Sequence, residues 1–483
     1  MGPISLMMLV PFLGALAILL WELDERRLRQ VALIATAVPL GISLYMWAAV
    51  GLPEGYEFLE HYPWIESLGM SYKVGVDGLS LPMVFLTTLL TFLVVVYSWE
   101  ERERPRQYFS LFLLLEVSLI GVFTALDLFL FYVFWEFVLV PMYFIIGIWG
   151  GPRKEYAAIK FFIYTFAGSV LMLVGFMAIY FASGTGSFDL ERLIEAREQL
   201  TLGLQVLTFA ALFVGLAVTM PVVPLHSWLP DAHVEAPTAG SVLLAAVLLK
   251  MGSYGLIRIA LPLLPQGAER FVPVMLAIAI LSILYGAMVC LAQRDLKRLI
   301  AYSSISHMGV VLLGIATLSQ LGTVGAVYMM FAHGLISAIL FMACGSIQHA
   351  LGTRLIERLG GLALKMPRVG VIITSGFLAG LGLPGMVQFA AEVPVFLATY
   401  GKFGLLLALP ILTVVLTAGY ALWAVARAMH GPISPLSSQA HDAPGYEFWP
   451  MLLLVALTVL FGSAPALLVP LIDRSVEAIL ALL

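Results

Sequence analysis

Residues 217–233 read Ala-Val-Thr-Met-Pro-Val-Val-Pro-Leu-His-Ser-Trp-Leu-Pro-Asp-Ala-His and interrupt an apolar run that is long enough to cross a membrane. The three prolines in this stretch lie too close together for one continuous helix, because each removes a backbone hydrogen bond and clashes with the preceding turn. A second interruption, Gly-Leu-Pro-Gly at 382–385, divides another apolar run. Unwound backbone is tolerated inside a membrane where it lines a cavity rather than lipid. The sequence therefore predicts two discontinuous membrane helices.

The composition extends this prediction to the whole chain. Of its 483 residues, 61% are apolar and 11% are charged, and the mean hydropathy is +1.01. Soluble domains carry about 25% charged residues, so a soluble protein is excluded. Apolar runs close to the bilayer length recur throughout, which predicts an all-α polytopic membrane protein with about fourteen transmembrane helices. The predicted spans lie near residues 3–21, 30–51, 80–98, 108–124, 127–149, 158–182, 204–223, 238–260, 272–292, 298–318, 323–349, 369–397, 403–428 and 448–470.

The two broken helices are the seventh and the twelfth of these spans. Breaks at matching depth in corresponding positions are typical of inverted repeats. We therefore expect two inverted five-helix repeats, spans 4–8 within residues 108–260 and spans 9–13 within residues 261–428. An N-terminal group of three helices (1–107) and a C-terminal loop and helix (429–483) would flank them. The alternative is that the prolines only kink ordinary membrane helices.

The distribution of charge predicts the orientation in the bilayer. Most of the 25 basic residues fall in one alternate set of loops, and such loops lie on the cytoplasmic side. This set excludes both termini, which are therefore expected on the outer, periplasmic side of a membrane such as the bacterial inner membrane. A net charge of −4 without a basic cluster excludes nucleic acid as a partner.

Ionisable residues inside the predicted spans are the candidate functional residues, because each charge at the bilayer centre costs at least about 2.5–3.5 kcal/mol. In chain order these residues are Glu116, Glu136, Lys250, His307, His333 and Glu392. Burial moves the titration of carboxylates and lysines toward neutral pH, where histidine already titrates. The series is therefore suited to passing protons laterally through the membrane. Each of these six residues could alternatively be a buried group with a structural role. His349 and Asp127 are expected to be interfacial or capping residues.

The sequence does not indicate a metal or a redox cofactor. The two cysteines, Cys290 and Cys344, lack the paired spacing of iron–sulfur and zinc sites. The first break does contain potential metal ligands close together in the sequence, which are His226, Asp231, His233 and Glu235. The prolines between them instead favour a rigid break and a helix cap. We expect the chain to bind neither metal nor cofactor.

Several long segments are shared with a known family. They are Val-Asp-Gly-Leu-Ser at 76–80, Phe-Trp-Glu at 134–136, Pro-Leu-His-Ser-Trp-Leu-Pro-Asp-Ala-His-Val-Glu-Ala-Pro-Thr-Ala-Gly-Ser-Val at 224–242, Leu-Leu-Lys-Met-Gly at 248–252, Asp-Leu-Lys-Arg-Leu-Ile-Ala-Tyr-Ser-Ser-Ile-Ser-His-Met-Gly at 295–309 and Gly-Leu-Pro-Gly at 382–385. Over nearly its whole length the chain resembles the antiporter-like proton-translocating subunits of respiratory complex I, of the chain M or subunit 4 type. The resemblance implies that Glu136, Lys250 and Glu392 take part in proton transfer.

The resemblance also implies a function and partners. We expect a proton-translocating membrane-arm subunit of a complex I-like NADH/quinone oxidoreductase, surrounded by other membrane and peripheral subunits that carry the redox chemistry. One alternative is a subunit of a multisubunit cation/proton antiporter, or of the related membrane arm of a hydrogenase or a carbon-uptake system. Another is a scaffold that has lost its pumping activity.

Two positions depart from the family pattern. The family usually has a lysine before the Met-Pro of span seven, where it pairs with the span-five glutamate, and this chain has Thr219. Threonine carries no charge, so Glu136 is left without its usual partner. After Phe389 the family's Gly-Glu-Phe is replaced by Ala391, Glu392 and Val393, which keeps the acid but changes its neighbours. These departures predict either a rewired pump or a pump-impaired paralogue.

Overall fold

A computed structural model describes residues 2–52 and 55–483. Its helices and strands, in chain order, are α1 (Pro3–Leu20), α2 (Glu25–Val50), β1 (Glu57–Ile65), β2 (Met70–Val76), α3 (Ser80–Tyr97), α4 (Pro105–Thr124), α5 (Leu128–Trp149), α6 (Lys154–Ser183), α7 (Leu190–Glu195), α8 (Leu202–Thr219), α9 (Trp228–Glu235), α10 (Thr238–Leu263), α11 (Pro265–Leu291), α12 (Leu296–Ala316), α13 (Gln320–Leu351), α14 (Pro367–Gly380), α15 (Val387–Phe403), α16 (Ala408–Met429), α17 (Gly445–Ser463) and α18 (Val469–Leu480).

The prediction of an all-α polytopic membrane protein is confirmed. Within the described residues, 13 helical segments are long and apolar enough to cross a membrane, with Val387–Met429 taken as one segment. The shorter apolar helix α14 precedes that segment. Each of the predicted spans overlaps one of these helices. The central helices α3, α4, α10, α12 and α13 are buried along most of their length, whereas the outer helices expose apolar faces suited to lipid or to neighbouring subunits.

An antiparallel hairpin of β1 and β2, which was not predicted from the sequence, lies between the second and third spans. Lys73 on β2 fixes the hairpin to the α6–α7 connection, because its Nζ donates to Asp189 and Glu191. Burial lowers the pKa of Lys73, but the hydrogen bonds and charges of these two carboxylates raise it above its ordinary value. Asp127 contributes to the same contact, since its side chain caps α5 and also accepts from the Ser71 backbone N–H. The capping role expected for Asp127 is thus confirmed.

The first break separates α8 from α9, as the prolines predict. Three hydrogen bonds that involve side chains hold the break in place. Trp228 Nε1 donates to the Val218 carbonyl at 2.9 Å, and the Val223 N–H donates to Ser282 Oγ at 2.9 Å. Tyr164 and Ser227 join their hydroxyls at 2.7 Å. These contacts hold the break within protein, where a non-helical segment at membrane depth is tolerated.

The second break separates α14 from α15 and contains Gly382 and Gly385, both in the left-handed region with φ of 81° and 90°. Glycine is required at Gly382 for a second reason. A Cβ there would lie 2.9 Å from Glu392 Oε2, so the missing side chain lets the carboxylate lie against the unwound backbone. This break thus positions one of the predicted site residues.

Candidate functional site

Lys250 lies at the centre of the candidate site, fully buried on α10. Its Nζ donates to the Ala245 carbonyl at 2.7 Å and lies 2.7 Å from His333 Nδ1, which accepts when the ammonium is charged. Ala245 belongs to a π-helical turn, Leu244–Leu248, a local geometry that is frequent at functional sites. Both contacts are with neutral groups, and in the described part of the chain no carboxylate contacts Nζ. The charge of Lys250 is therefore not fixed by a counterion.

Two histidines continue the site away from Lys250. His333 on α13 and His307 on α12 are both buried, and their ring centroids lie 5.5 Å apart. A cavity of about 10 Å³ lies between α12, α13, α14 and α16, and both imidazoles line it together with Ser303, Thr417 and Tyr420. That volume is roughly the room that one water molecule needs, and the lining supplies polar partners for it. One water can thus connect the two imidazoles.

Gln388, on the first turn of α15, links His307 to Glu392. Its Nε2 donates to Glu392 Oε1 at 2.7 Å and to the Gly380 carbonyl at 2.6 Å, and lies 3.3 Å from His307 Nδ1. Gly380 is the last residue of α14, so the amide ties the broken helix ends to the carboxylate. Glu392 itself is buried.

The structure thus joins Lys250, His333, His307, Gln388 and Glu392 into one lateral series across α10, α13, α12 and α15, which we call the central series. Four of the predicted site residues belong to it. Gln388 was missed because an amide does not titrate and so did not stand out among the ionisable residues. A signal was present, since residues four apart on a helix face each other and Gln388 precedes Glu392 by that spacing.

Glu136 does not join the central series. It is half-buried on α5, and its Oε1 is shielded from solvent without a hydrogen-bond partner among the described residues. Tyr132 and Ser169 lie beside the carboxyl group. Thr219, at the end of α8, is buried and brings no charge. Within the described residues, no cation therefore lies beside the Glu136 carboxyl group.

Glu116 also stands apart, on α4. It is fully buried, and neither carboxylate oxygen has a hydrogen-bond partner within residues 2–52 and 55–483. His349 lies at the end of α13, where its Nδ1 is 2.9 Å from Glu447 Oε1 and its side chain is 54% exposed. Its position agrees with the expected interfacial role.

The polar residues of the first break form ion pairs. Asp231 lies 2.7 Å from Lys160 Nζ and 3.3 Å from an Arg298 nitrogen, and Glu235 lies 3.5 Å from Arg153. In the part of the chain that the structure describes, no group of three His, Cys, Asp or Glu side chains is arranged to hold a metal ion. These ion pairs connect α9 to α6, to α12 and to the α5–α6 connection.

Comparison with known proteins identifies the family of this chain. A family profile described as "NADH:quinone oxidoreductase/Mrp antiporter, TM" matches residues 125–417, more than half of the chain and including both breaks. The chain belongs to this family. The matched range holds every residue of the central series, whereas α1 to α4 and the C-terminal helices lie outside it.

Individual members of the family match over nearly the full length. The F(420)H(2) dehydrogenase subunit M of Methanosarcina mazei is 40% identical, covering 99% of this chain and 98% of that protein. The NADH-quinone oxidoreductase subunit M of Rhodobacter capsulatus is 44% identical, covering 94% and 90%. Among solved structures, a chain of respiratory complex I from Thermus thermophilus with bound NADH superposes with a TM-score of 0.92 at 31% identity, covering 99% of both chains.

Proposed function

We propose that this family member is a proton-translocating membrane-arm subunit of a complex I-like quinone oxidoreductase. The relatives named as subunit M support the assembly, and the central series supports the chemistry. The observation that carries the proposal is Lys250, a buried lysine that meets the Ala245 carbonyl and His333 instead of a carboxylate. A buried cation without a counterion is costly, and such residues mark proton pathways.

Each residue of the central series has a separate role in proton transfer. Lys250 donates a proton to His333 when its surroundings no longer favour the charged ammonium. The imidazole of His333 can accept this proton on one nitrogen and release a proton from the other. His307 receives the proton across the small cavity. Gln388 cannot carry a proton, so its role is to hold the carboxyl group of Glu392 beside the histidines. Glu392 is the acceptor at the far end.

Electron transfer belongs to partner subunits. The two cysteines of this chain are buried on α11 and α13 and free, so they do not form a cluster site of the kind that needs several thiolates. The two subunit M relatives described above are named after different electron donors, NADH and F(420)H(2). We infer that the partners, not this chain, determine the donor.

We further propose the organisation and location predicted from the sequence. The two breaks, each ending at polar contacts within the bundle, support inverted repeats within residues 108–260 and 261–428. The concentration of arginine and lysine in one set of loops supports a bacterial inner membrane with both termini on the outer side.

The test is purification of the intact complex from its native membrane. We expect iron–sulfur and quinone-reactive subunits to co-purify, and reconstituted vesicles to acidify or alkalinise when quinone is reduced. Co-purification with small membrane proteins alone, with cation-driven proton exchange, would instead show an antiporter. Quinone reduction without proton movement would support the pump-impaired paralogue.

A further inference from the structure

A large cavity opens on the side of the basic loops. Its volume is about 630 Å³, and it lies between the α3–α4 turn, the α5–α6 connection, the end of α9 and the end of α13. Charged side chains line it, among them Glu101, Glu235, Arg354, Glu447 and Lys297. We call this cavity the vestibule. Its size and its charged lining are suited to water.

Lys297 borders the vestibule at the start of α12. Its side chain is buried, and its Nζ donates to the carbonyl of Ala236, the residue that ends α9. The C-terminal end of a helix carries a partial negative charge, which stabilises the ammonium there. Lys297 therefore resembles Lys250 in one respect, since its contact is a neutral carbonyl instead of a carboxylate.

His233 on α9 lies deeper. It is fully buried, its ring stacks on Phe341 at 4.6 Å, and both of its ring nitrogens lack a hydrogen-bond partner among the described residues. Ala236, the partner of Lys297, follows His233 by three residues, and Phe341 lies on α13, the helix whose His333 contacts Lys250. Buried polar groups in proteins are almost always hydrogen-bonded, to protein or to ordered water. A buried imidazole whose two nitrogens have no partner among the described residues thus points to water or a moving proton at this place.

We propose that the vestibule is the proton entrance of this subunit, and that Lys297 and His233 pass protons from it to Lys250. The proton that His233 takes on one ring nitrogen leaves from the other, so the ring ends each transfer neutral. This inference rests on the proposed function. It also accounts for Thr219, because an entrance that reaches Lys250 through α9 and α12 does not pass Glu136 and needs no cation at position 219.

The main test is His233→Phe in the intact complex, measured by quinone-linked proton pumping in vesicles. Phenylalanine keeps the stack on Phe341 and removes two nitrogens that have no partner among the described residues. A merely structural histidine would therefore tolerate it with unchanged pumping. We expect loss of pumping with unchanged assembly and melting temperature. His226→Phe is the matched control, since His226 is another buried histidine of the same break and packs on Tyr285 instead. The control should pump normally. Normal pumping by His233→Phe overturns the proposal.

Two further variants keep the proposal falsifiable if His233→Phe does not assemble. Lys297→Arg retains the charge and the contact with Ala236 but does not release a proton at neutral pH. We expect loss of pumping, and normal pumping overturns the role of Lys297. For the vestibule, Thr238→Cys should react with a charged thiol reagent added from the basic-loop side and then lose pumping, because Thr238 lines the cavity and the native cysteines are buried. Labelling without loss overturns the entrance.

The outcome is separable from that of the proposed function. If Lys250→Ala abolishes pumping while His233→Phe and Lys297→Arg leave it intact, the entrance lies elsewhere and the pump assignment stands. If Lys250→Ala also pumps normally, the assignment itself fails.

Discussion

Lys250 and Arg258 are two buried cations on the same helix, α10, and their surroundings differ. Arg258 forms an ion pair with Asp77, and its Nε and Nη1 each lie 3.3 Å from a tyrosine hydroxyl, those of Tyr254 and Tyr56. The hydrogen-bond partners of Lys250 Nζ among the described residues are the Ala245 carbonyl and His333. Burial removes the hydration of both cations, which costs free energy. Attraction to an opposite charge offsets this cost for Arg258 but not for Lys250.

The difference separates a structural charge from one that can be switched. The carboxyl group of Asp77 is buried, which by itself raises its pKa, but the charge and hydrogen bond of Arg258 hold that pKa below its usual range. Arginine remains charged under all physiological conditions, whereas buried lysine readily gains and loses its proton. A lysine that meets neutral partners can therefore change its charge without breaking an ion pair.

The largest expected effect is at Lys250. Lys250→Ala should largely abolish redox-driven proton pumping while the complex still assembles, because no other basic residue on α10 faces the central series. Pumping is measured in reconstituted vesicles, and assembly by native gel electrophoresis. Lys250→Arg should also fail to pump, since arginine does not release its proton. Unchanged pumping by Lys250→Ala would remove Lys250 from the mechanism, whereas unchanged pumping by Lys250→Arg would show that a fixed charge suffices there.

Arg258→Met should have the opposite pattern. Removing one partner of a buried ion pair typically costs about 3–5 kcal/mol, so we expect a clear fall in the melting temperature of the purified complex. Proton pumping per assembled complex should remain normal. Reduced pumping in complexes that remain stable would place Arg258 among the functional residues.

The pH dependence of this stability difference follows from Asp77. A carboxyl group whose pKa is lowered on folding stabilises the protein above its unfolded pKa, and this contribution is lost as the pH falls through the folded value. The gap in melting temperature between the parent and Arg258→Met should therefore be full at neutral pH and shrink in acid. A gap that is constant down to acid pH would argue against the pairing with Asp77.

The sequence predicted the fold and most members of the central series, but not their contacts. Prolines and glycines predicted both breaks because backbone geometry depends on local residue type. The energetic cost of charge in a bilayer selected Lys250, His333, His307 and Glu392, since that cost is independent of the neighbours. The cost of a charge in the bilayer could not identify Gln388, because Gln388 is uncharged. It also could not show that Glu136 and Glu116 lie outside the central series. Which groups meet depends on helix packing.

Glu392→Gln tests the far end of the central series. The amide keeps the shape and the acceptor for Gln388 but cannot exchange a proton, so we expect impaired translocation with unchanged stability. Glu136→Gln should also impair translocation, to a smaller extent because Glu136 lies outside the series. Proton flux at equal rates of quinone reduction is the measurement. Normal flux in both variants would favour the scaffold interpretation.

The smallest expected effect is that of a new cation placed at position 219. Thr219 lies at the end of α8, which packs on α6, and a Cβ at Gly168 on α6 would lie 3.2 Å from Val218. Ser169, the next residue on α6, lies beside Glu136. A lysine side chain at 219 therefore has a short path along α6 to the Glu136 carboxylate.

Thr219→Lys should make this pair behave like Arg258 and Asp77, with each charge fixing the other. The new ammonium would favour the ionised form of Glu136, so the pH profile of pumping should change while maximal pumping falls little. The change should disappear in Thr219→Lys combined with Glu136→Gln, because the amide offers no charge to pair. Thr219→Met is the control for side-chain length without charge and should follow the parent. A Thr219→Lys profile that overlays the parent's would show that position 219 is uncoupled from Glu136, and that the lost family lysine has not been replaced by rewiring around this carboxylate.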